Sequence, residues 1–287
     1  MVKGVGLTSQ DQQLPASSGP ASQHGPLPFD TSVPHPARRY NYWLGGKDNF
    51  AADRDSGDAI AAAFPTIRLW AQENRRFLGR TVSYLAGEVG VSQFLDIGTG
   101  IPAADNTHEV AQRINPASRV VYVDNDPIVL VHARALLTSA GHEGRTAYVD
   151  ADLREPDTII GDPALSATLD LTKPVALILV AVLHFFRDEQ KTQQIVRRLV
   201  DALPSGSYLV ISHATHDYMP EEQSRSAGGG DPNFTFRGRE EFSRFFEGME
   251  LVEPGITSIA QWRADDEPEP RPDVAEVSAY GAVARIS

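Results

Sequence analysis

Between Ser92 and His213, short apolar runs alternate with amphipathic stretches. The runs Ser92–Ile97, Arg119–Val123, Thr146–Val149, Val175–Val180 and Tyr208–His213 are short and rich in Val, Ile and Leu, the mark of strands buried on both faces. The spacing predicts helices over Asn106–Ile114, Pro127–Ser139, Pro156–Ile160 and Asp188–Leu203. Strands separated in this way by helices build a parallel sheet covered on both sides. After Ala214 the pattern loosens into a Gly-rich loop at Ala227–Gly230. A helix over Glu240–Phe246 and two late strands, Glu250–Glu253 and Val277–Ile286, then close the chain. The acidic, Pro-rich stretch Ala264–Glu276 between those strands is expected to be a solvated connection.

The chain is helical before its first strand. Pro36–Leu44 has Pro in its first turn and Gly45-Gly46 as its stop. A second helix is expected over Asp53–Ala63 and a third over Pro65–Leu85, where Ile67, Trp70, Phe77, Leu78, Val82 and Leu85 keep one apolar stripe. Residues 1–30 are rich in Gly, Ser, Pro and Gln and have too little apolar surface to offset their ordering entropy. The expected organisation is a disordered tail over 1–30, a helical cap over 31–90 and a sheet-bearing domain over 91–287, cap and sheet forming one structural unit.

Composition narrows the possibilities. With 287 residues, 41% hydrophobic and 22% charged, the chain suits one large soluble domain. The absence of cysteine excludes disulfides, zinc–thiolate sites and a thiol nucleophile, and suits a cytoplasmic setting. Met1–Asp30 lacks the apolar core of a signal peptide, and the longest apolar run, Val175–Phe186, falls short of the roughly 20 residues of a membrane span. A net charge of −12, with arginines only in short dispersed pairs, argues against nucleic acid as the main partner. The eight histidines show no metal-ligand spacing, so no metal is expected.

The candidate chemistry starts where Phe94-Leu95-Asp96-Ile97 runs into Gly98-Thr99-Gly100. Glycines at a strand-to-helix turn let a ligand approach the backbone. An acid at the end of the next strand, Asp124 with Asn125 beside it, suits the two hydroxyls of a ribose, while Asp126 before Pro127 suits a helix cap. Ala103 is an accepted variant of the third glycine of a dinucleotide fingerprint, so spacing alone leaves NAD open. Pro102 and the acids Asp96 and Asp105 favour a different nucleoside. Acids repel a pyrophosphate but suit the sulfonium and ammonium groups of S-adenosylmethionine.

The acid-x-Gly-x-Gly loop of Asp96–Gly100 resembles that of class I methyltransferases. That resemblance implies adenine contact by an acid at the end of the third strand, Asp152 first and Asp150 second. The segments Pro34–Tyr40, Leu44–Phe50, Asn106–Val110 and Val180–Phe185 further resemble a bacterial S-adenosyl methyltransferase family long known only as a domain of unknown function. The likeness runs from about Pro34 to Ile286, and the Leu44–Asn49 run is its most distinctive part. It implies the class I, Rossmann-like α/β fold, a seven-stranded, mostly parallel sheet finishing in a hairpin-like pair, behind an N-terminal helical cap. It also implies S-adenosylmethionine as cofactor, and it leaves the acceptor open.

On that reading the first helix is expected to act as a lid. Tyr40, Tyr42 and Trp43 would offer aromatic faces to the sulfonium, and Arg38 or Lys47 would pair with the methionine carboxylate. Ala181 and His184 follow the fourth strand, where residues face the transferred methyl group. His184 is the candidate base, His213 and His108 weaker ones. The expected reaction is in-line methyl transfer to a small-molecule acceptor. A regulator that binds the cofactor without catalysis and an NAD-dependent oxidoreductase are the alternatives.

Overall fold

Alternation along each strand decides what covers each face of the sheet. In β1 (Gln93–Ile97), Leu95 and Ile97 enter one core, while Phe94, and with it Asp96, faces the other. The same division holds in β2 (Arg119–Asp124), β4 (Ala176–Val180) and β5 (Tyr208–Ala214), each buried along almost its whole length. This is a computed structural model that describes Met1 and residues 30–137, 144–220 and 234–287. The expectations for the 1–30 tail, the end of the helix reaching Ser139 and the Gly-rich loop lie outside the described residues. Thr31–Ser287 forms one compact unit.

Three helices precede the sheet: α1 (Pro36–Trp43), α2 (Ala51–Ala63) and α3 (Ile67–Tyr84), the last running into a π-turn at Leu85–Val89. The alternation then gives β1, α4 (Thr107–Ile114), β2, α5 (Pro127–Leu137), β3 (Thr146–Asp150), α6 (Pro156–Ile160), α7 (Pro163–Thr168), β4, α8 (Glu189–Val200) and β5. A short α9 (Arg239–Ser243) leads to β6 (Glu250–Leu251) and β7 (Thr257–Ser258). The one-turn α10 (Val274–Val277) precedes β8 (Ala279–Arg285). The sheet order is β3-β2-β1-β4-β5-β8-β6, and β8 runs antiparallel to β5 and β6. This is the class I methyltransferase layout, with β7 making an eighth strand. β6 and β7 pair with opposite ends of β8, so they are two pieces of a broken edge strand.

The predicted stripe of α3 is real: Ile67, Trp70, Phe77, Leu78 and Val82 are all buried against Phe94, Ile178 and Val210. This helix is therefore part of the covering layer, and α8 and α9 cover the opposite face through Val196, Leu199 and Phe242. Elements of the fold also depart from the expected pattern. Helix α7 was not anticipated; Asp162 caps it by accepting from the Ala164 N–H at 2.7 Å, ahead of Pro163. Strand β8 starts two residues later than expected, because Asp273 and Glu276 form a capping box that coils Val274–Val277 first.

The acidic connection is also not simply solvated. Glu73 of α3 is fully buried, and its carboxylate lies 2.5 Å from both Arg76 and Arg271. Arg80 pairs with Glu267 at 2.7 Å and donates to the Trp262 carbonyl at 2.9 Å. Trp262 itself is buried edge-on against Phe77 and Tyr84. Charge patterning suggested exposure, but a buried counter-charge on α3 fastens the stretch. Removing one member of such a cluster leaves the others uncompensated in low dielectric. Glu73→Gln is expected to lower unfolding free energy by about 3 kcal/mol in urea titration; an unchanged midpoint would show that the cluster contributes nothing.

Candidate active site

The C-terminal ends of β1, β2 and β4 open into a cavity of about 390 Å³, walled on the far side by α1 and α3. Gly98 turns the chain with φ +76 and donates to the Val123 carbonyl at 2.8 Å. A Cβ there would lie 2.6 Å from Cγ2 of Val182, so this glycine answers to its own protein before any ligand. Gly98, Thr99 and Gly100 all line the cavity.

Asp124 is 8% exposed and lines the cavity. Its Oδ2 accepts from the Gly100 N–H at 2.8 Å and its Oδ1 from the Asp126 N–H at 2.9 Å. A carboxylate offers about four acceptor positions, so both oxygens keep capacity for a guest. Burial raises its pKa against the pull of those two N–H donors. Asp126 takes the expected cap, accepting from the Ile128 N–H at 3.0 Å. It also meets His35 Nδ1 at 2.9 Å and Arg38 Nε at 3.5 Å. Burial alone would raise the Asp126 pKa, but the hydrogen bond and charge of His35, the Ile128 N–H and Arg38 outweigh it and leave it lowered.

Asp96 is buried on the α3/α4 face and lines the cavity. It accepts from Thr107 Oγ1 at 2.6 Å, the first residue of α4. Burial pushes its pKa up to about 6, against the opposing effects of Thr107 and Arg75. Asn106 and Glu109 form the capping box of α4, and His108 packs edge-on against Tyr122, taking no place in the cavity. The Asn106–Val110 segment is thereby explained: it starts a helix and holds Asp96.

Asn125 and Asp152 line the cavity together, with Asn125 Nδ2 donating to Asp152 Oδ2 at 3.2 Å. Arg154 closes on Asp152 through its backbone N–H and its guanidinium, both at 2.8 Å. Asp150 does not take part; it is exposed at the end of β3, where the pleat turns it away. Asp105, too, lies outside, paired with Arg113 at 2.7 Å on the surface.

On α1, Pro36, Arg39, Tyr40 and Trp43 face the cavity, a helical i, i+3, i+4, i+7 stripe. Arg38 is off that stripe. Its buried guanidinium lies between Asp53, at 3.7 Å, and Asp126, because a buried cation needs anions. Lys47 is exposed and does not reach the cavity. Its loop is folded around Asn41, whose Oδ1 accepts from the Asp48 N–H at 3.1 Å and Asn49 Nδ2 at 3.0 Å. A Cβ on Gly46 would strike that amide. The distinctive Leu44–Asn49 run is thus a helix stop and a turn. Tyr42 faces outward, bonded to Asp58 and covered by Arg68.

Among the described residues, the arginines that line the cavity are Arg39, Arg75 and Arg154. Arg75 is braced by the carbonyls of Ala104 and Asp105 at 2.8 and 3.0 Å. Arg75-Arg76 is one of the short, dispersed arginine pairs, and nothing in the pair itself points inward; the signal is Asn74, a polar residue four positions after Trp70 in an apolar stripe. Asn74 Nδ2 donates to the Tyr40 hydroxyl at 3.0 Å, and its Oδ1 accepts from Ser212 Oγ at 2.6 Å. Ser212 in turn accepts from the N–H of Ala181, a cavity residue held at φ +56.

His184 lines the cavity at 2% exposure. Burial, followed by the neighbouring His213, Arg237 and Arg39, holds its pKa well below the usual histidine range. His213 does not line the cavity. Its Nδ1 meets the Ala214 carbonyl at 2.7 Å and its Nε2 meets the buried Arg237, while burial and that arginine push it down to about 3. Arg237 also donates to the carbonyls of Leu183 at 3.1 Å and Phe186 at 2.7 Å, so it holds the turn that carries His184.

The S-adenosyl methyltransferase family profile matches residues 22–287. The chain belongs to that family. A crystal structure of a DUF574 family protein from Streptomyces avermitilis MA-4680 is 46% identical, with a TM-score of 0.82 over 90% of this chain and 99% of that one. A protein from Thermobifida fusca YX, provisionally named a methyltransferase, is 40% identical with a TM-score of 0.82 over 90% and 97%. No curated protein matches the chain. S-adenosylmethionine is therefore the cofactor, and the dinucleotide alternative falls. Among the described residues no helix is long and apolar enough to cross a membrane, and no three His, Cys, Asp or Glu side chains gather as metal ligands.

The residues present fit that cofactor: a buried carboxylate with spare acceptor capacity, a glycine turn, and a cavity lined by both acids and rings. Gly98→Ala is expected to cost about 1–3 kcal/mol of stability, since the stiff Val182 side chain cannot move aside. Thermal unfolding measures it, and a variant as stable as the parent would refute the close approach.

Proposed function

We propose that this protein transfers a methyl group from S-adenosylmethionine to a small-molecule acceptor bound beside His184. The observation that carries the reading is a continuous cavity running from Asp124 and Asp152, past the glycine turn, to the ring-lined wall around His184. Asp124 accepts from the ribose hydroxyls, Asp152 and Asn125 flank the adenine, and the loop Gly98–Gly100 lies against the methionyl part. Asp96 faces the ammonium. Arg75 takes the role first expected of Arg38 or Lys47, meeting the carboxylate. Helix α1 forms the lid, held to the N-terminus of α5 through His35, Arg38 and Asp126.

When bound, the cofactor supplies an electrophilic methyl carbon. The protein's own work is to hold an acceptor in line with it and to keep water out. Ala181 and His184, past the end of β4, stand at the acceptor side, and His184 stays neutral and able to accept a hydrogen bond.

Asp124→Ala is expected to weaken S-adenosylhomocysteine binding by about 1–3 kcal/mol in calorimetric titration; undiminished affinity with an intact fold would refute the ribose assignment. The raised Asp96 pKa gives a second check. In the free protein this carboxyl prefers its proton, so the stability it contributes is present at low pH and lost as pH rises through about 6. An ammonium guest needs the ionised form, so affinity should rise between about pH 5 and 7 and then level off. A flat profile, or one unaltered by Asp96→Asn, would remove Asp96 from the ammonium.

A further inference from the structure

Past the glycine turn the cavity ends in rings. Trp70, Phe185 and Phe234 surround His184, with centroids 5.8, 4.5 and 4.5 Å from the imidazole, and Phe236 lies 5.1 Å from Phe234. All five residues line the cavity, and such an aromatic wall favours a flat, apolar guest. Among them Nδ1 of His184 is buried without a hydrogen-bond partner among the described residues. Buried polar atoms are nearly always paired, so an orphan on a cavity-lining residue marks a place for a ligand's polar group.

We propose that the methyl acceptor is an aromatic hydroxyl compound, its ring packed against the wall of Trp70, Phe185 and Phe234 and its hydroxyl donating to His184 Nδ1. This rests on the methyltransferase reading above. Neutral imidazole has one bare nitrogen, which accepts a hydroxyl proton and cannot serve an acceptor that has none to give. Besides burial and the neighbouring His213, two guanidinium groups act on His184, those of Arg237 and Arg39. They repel a protonated alkylamine and stabilise an oxyanion as it forms. The same surroundings make His184 a weak base. It therefore needs an acidic hydroxyl, such as a phenol with a pKa of about 10, and serves an ordinary alcohol poorly.

In the transfer, the acceptor oxygen forms its bond to the methyl carbon while that carbon's bond to sulfur breaks. The electron pair stays on sulfur, which becomes a neutral thioether. The hydroxyl proton passes to His184 and reaches water after the aryl methyl ether leaves.

The test uses the full chain saturated with S-adenosylhomocysteine and titrated with 2-naphthol, naphthalene and decahydro-2-naphthol, read by tryptophan fluorescence. Binding of 2-naphthol at least about tenfold tighter than either counterpart is expected, and His184→Leu should erase that preference while still binding naphthalene. With S-adenosylmethionine, 2-methoxynaphthalene should form, at least about 100-fold more slowly in His184→Leu. If that variant does not fold, ¹⁵N-histidine spectra of the parent decide: the His184 Nδ1 signal should shift with 2-naphthol and not with naphthalene. Equal binding of the three probes, an unmoved Nδ1 signal or binding without ether formation overturns this proposal and leaves the methyltransferase reading intact. Failure to bind S-adenosylhomocysteine overturns both.

Discussion

Buried carboxylates must be satisfied, and at the end of β2 that requirement organises the rim of the site. Asp124 takes N–H donors from Gly100 and Asp126, which ties the glycine turn of β1 to the start of α5. Asp126, once placed, caps α5 and presents its other oxygen to His35 and Arg38. One acid therefore fixes the glycine turn, and its neighbour two residues on meets His35 and Arg38 at the start of α1. Leaving either unpaired in a low dielectric would cost far more than a surface contact returns.

A second, uncharged chain serves the other end of the cavity. The Ala71 carbonyl, Tyr40, Asn74, Ser212 and the Ala181 N–H form one continuous series of hydrogen bonds from α3 and α1 to the ends of β5 and β4. It secures Ala181 in a left-handed conformation that a non-glycine residue rarely adopts. Arg237 does the corresponding work for the next turn by binding the Leu183 and Phe186 carbonyls. The two networks fix the backbone on either side of His184, so the imidazole is positioned by burial and by its neighbours' bonds, while its own Nδ1 has no partner among the described residues.

The sequence by itself determined the sheet. Short apolar runs separated by amphipathic helices make parallel strands buried on both faces, and the glycine turn, Asp124 and the Asp126 cap follow from local backbone needs at the ends of those strands. The family likeness was also legible, although its most distinctive run, Leu44–Asn49, is a turn built around Asn41 with no side chain in the cavity. What only the tertiary structure decided is which charges face inward. Arg38 and Arg39 are adjacent in sequence, yet one is bound to Asp53 and Asp126 while the other lines the cavity. Asp150 and Asp152 differ in the same way, and Glu73 was indistinguishable from a surface acid until Arg271, far along the chain, came to meet it. A helix face or a strand end sets only the direction of a side chain. Whether that direction is solvent, an ion pair or a ligand depends on elements distant in sequence, and no local pattern carries that information.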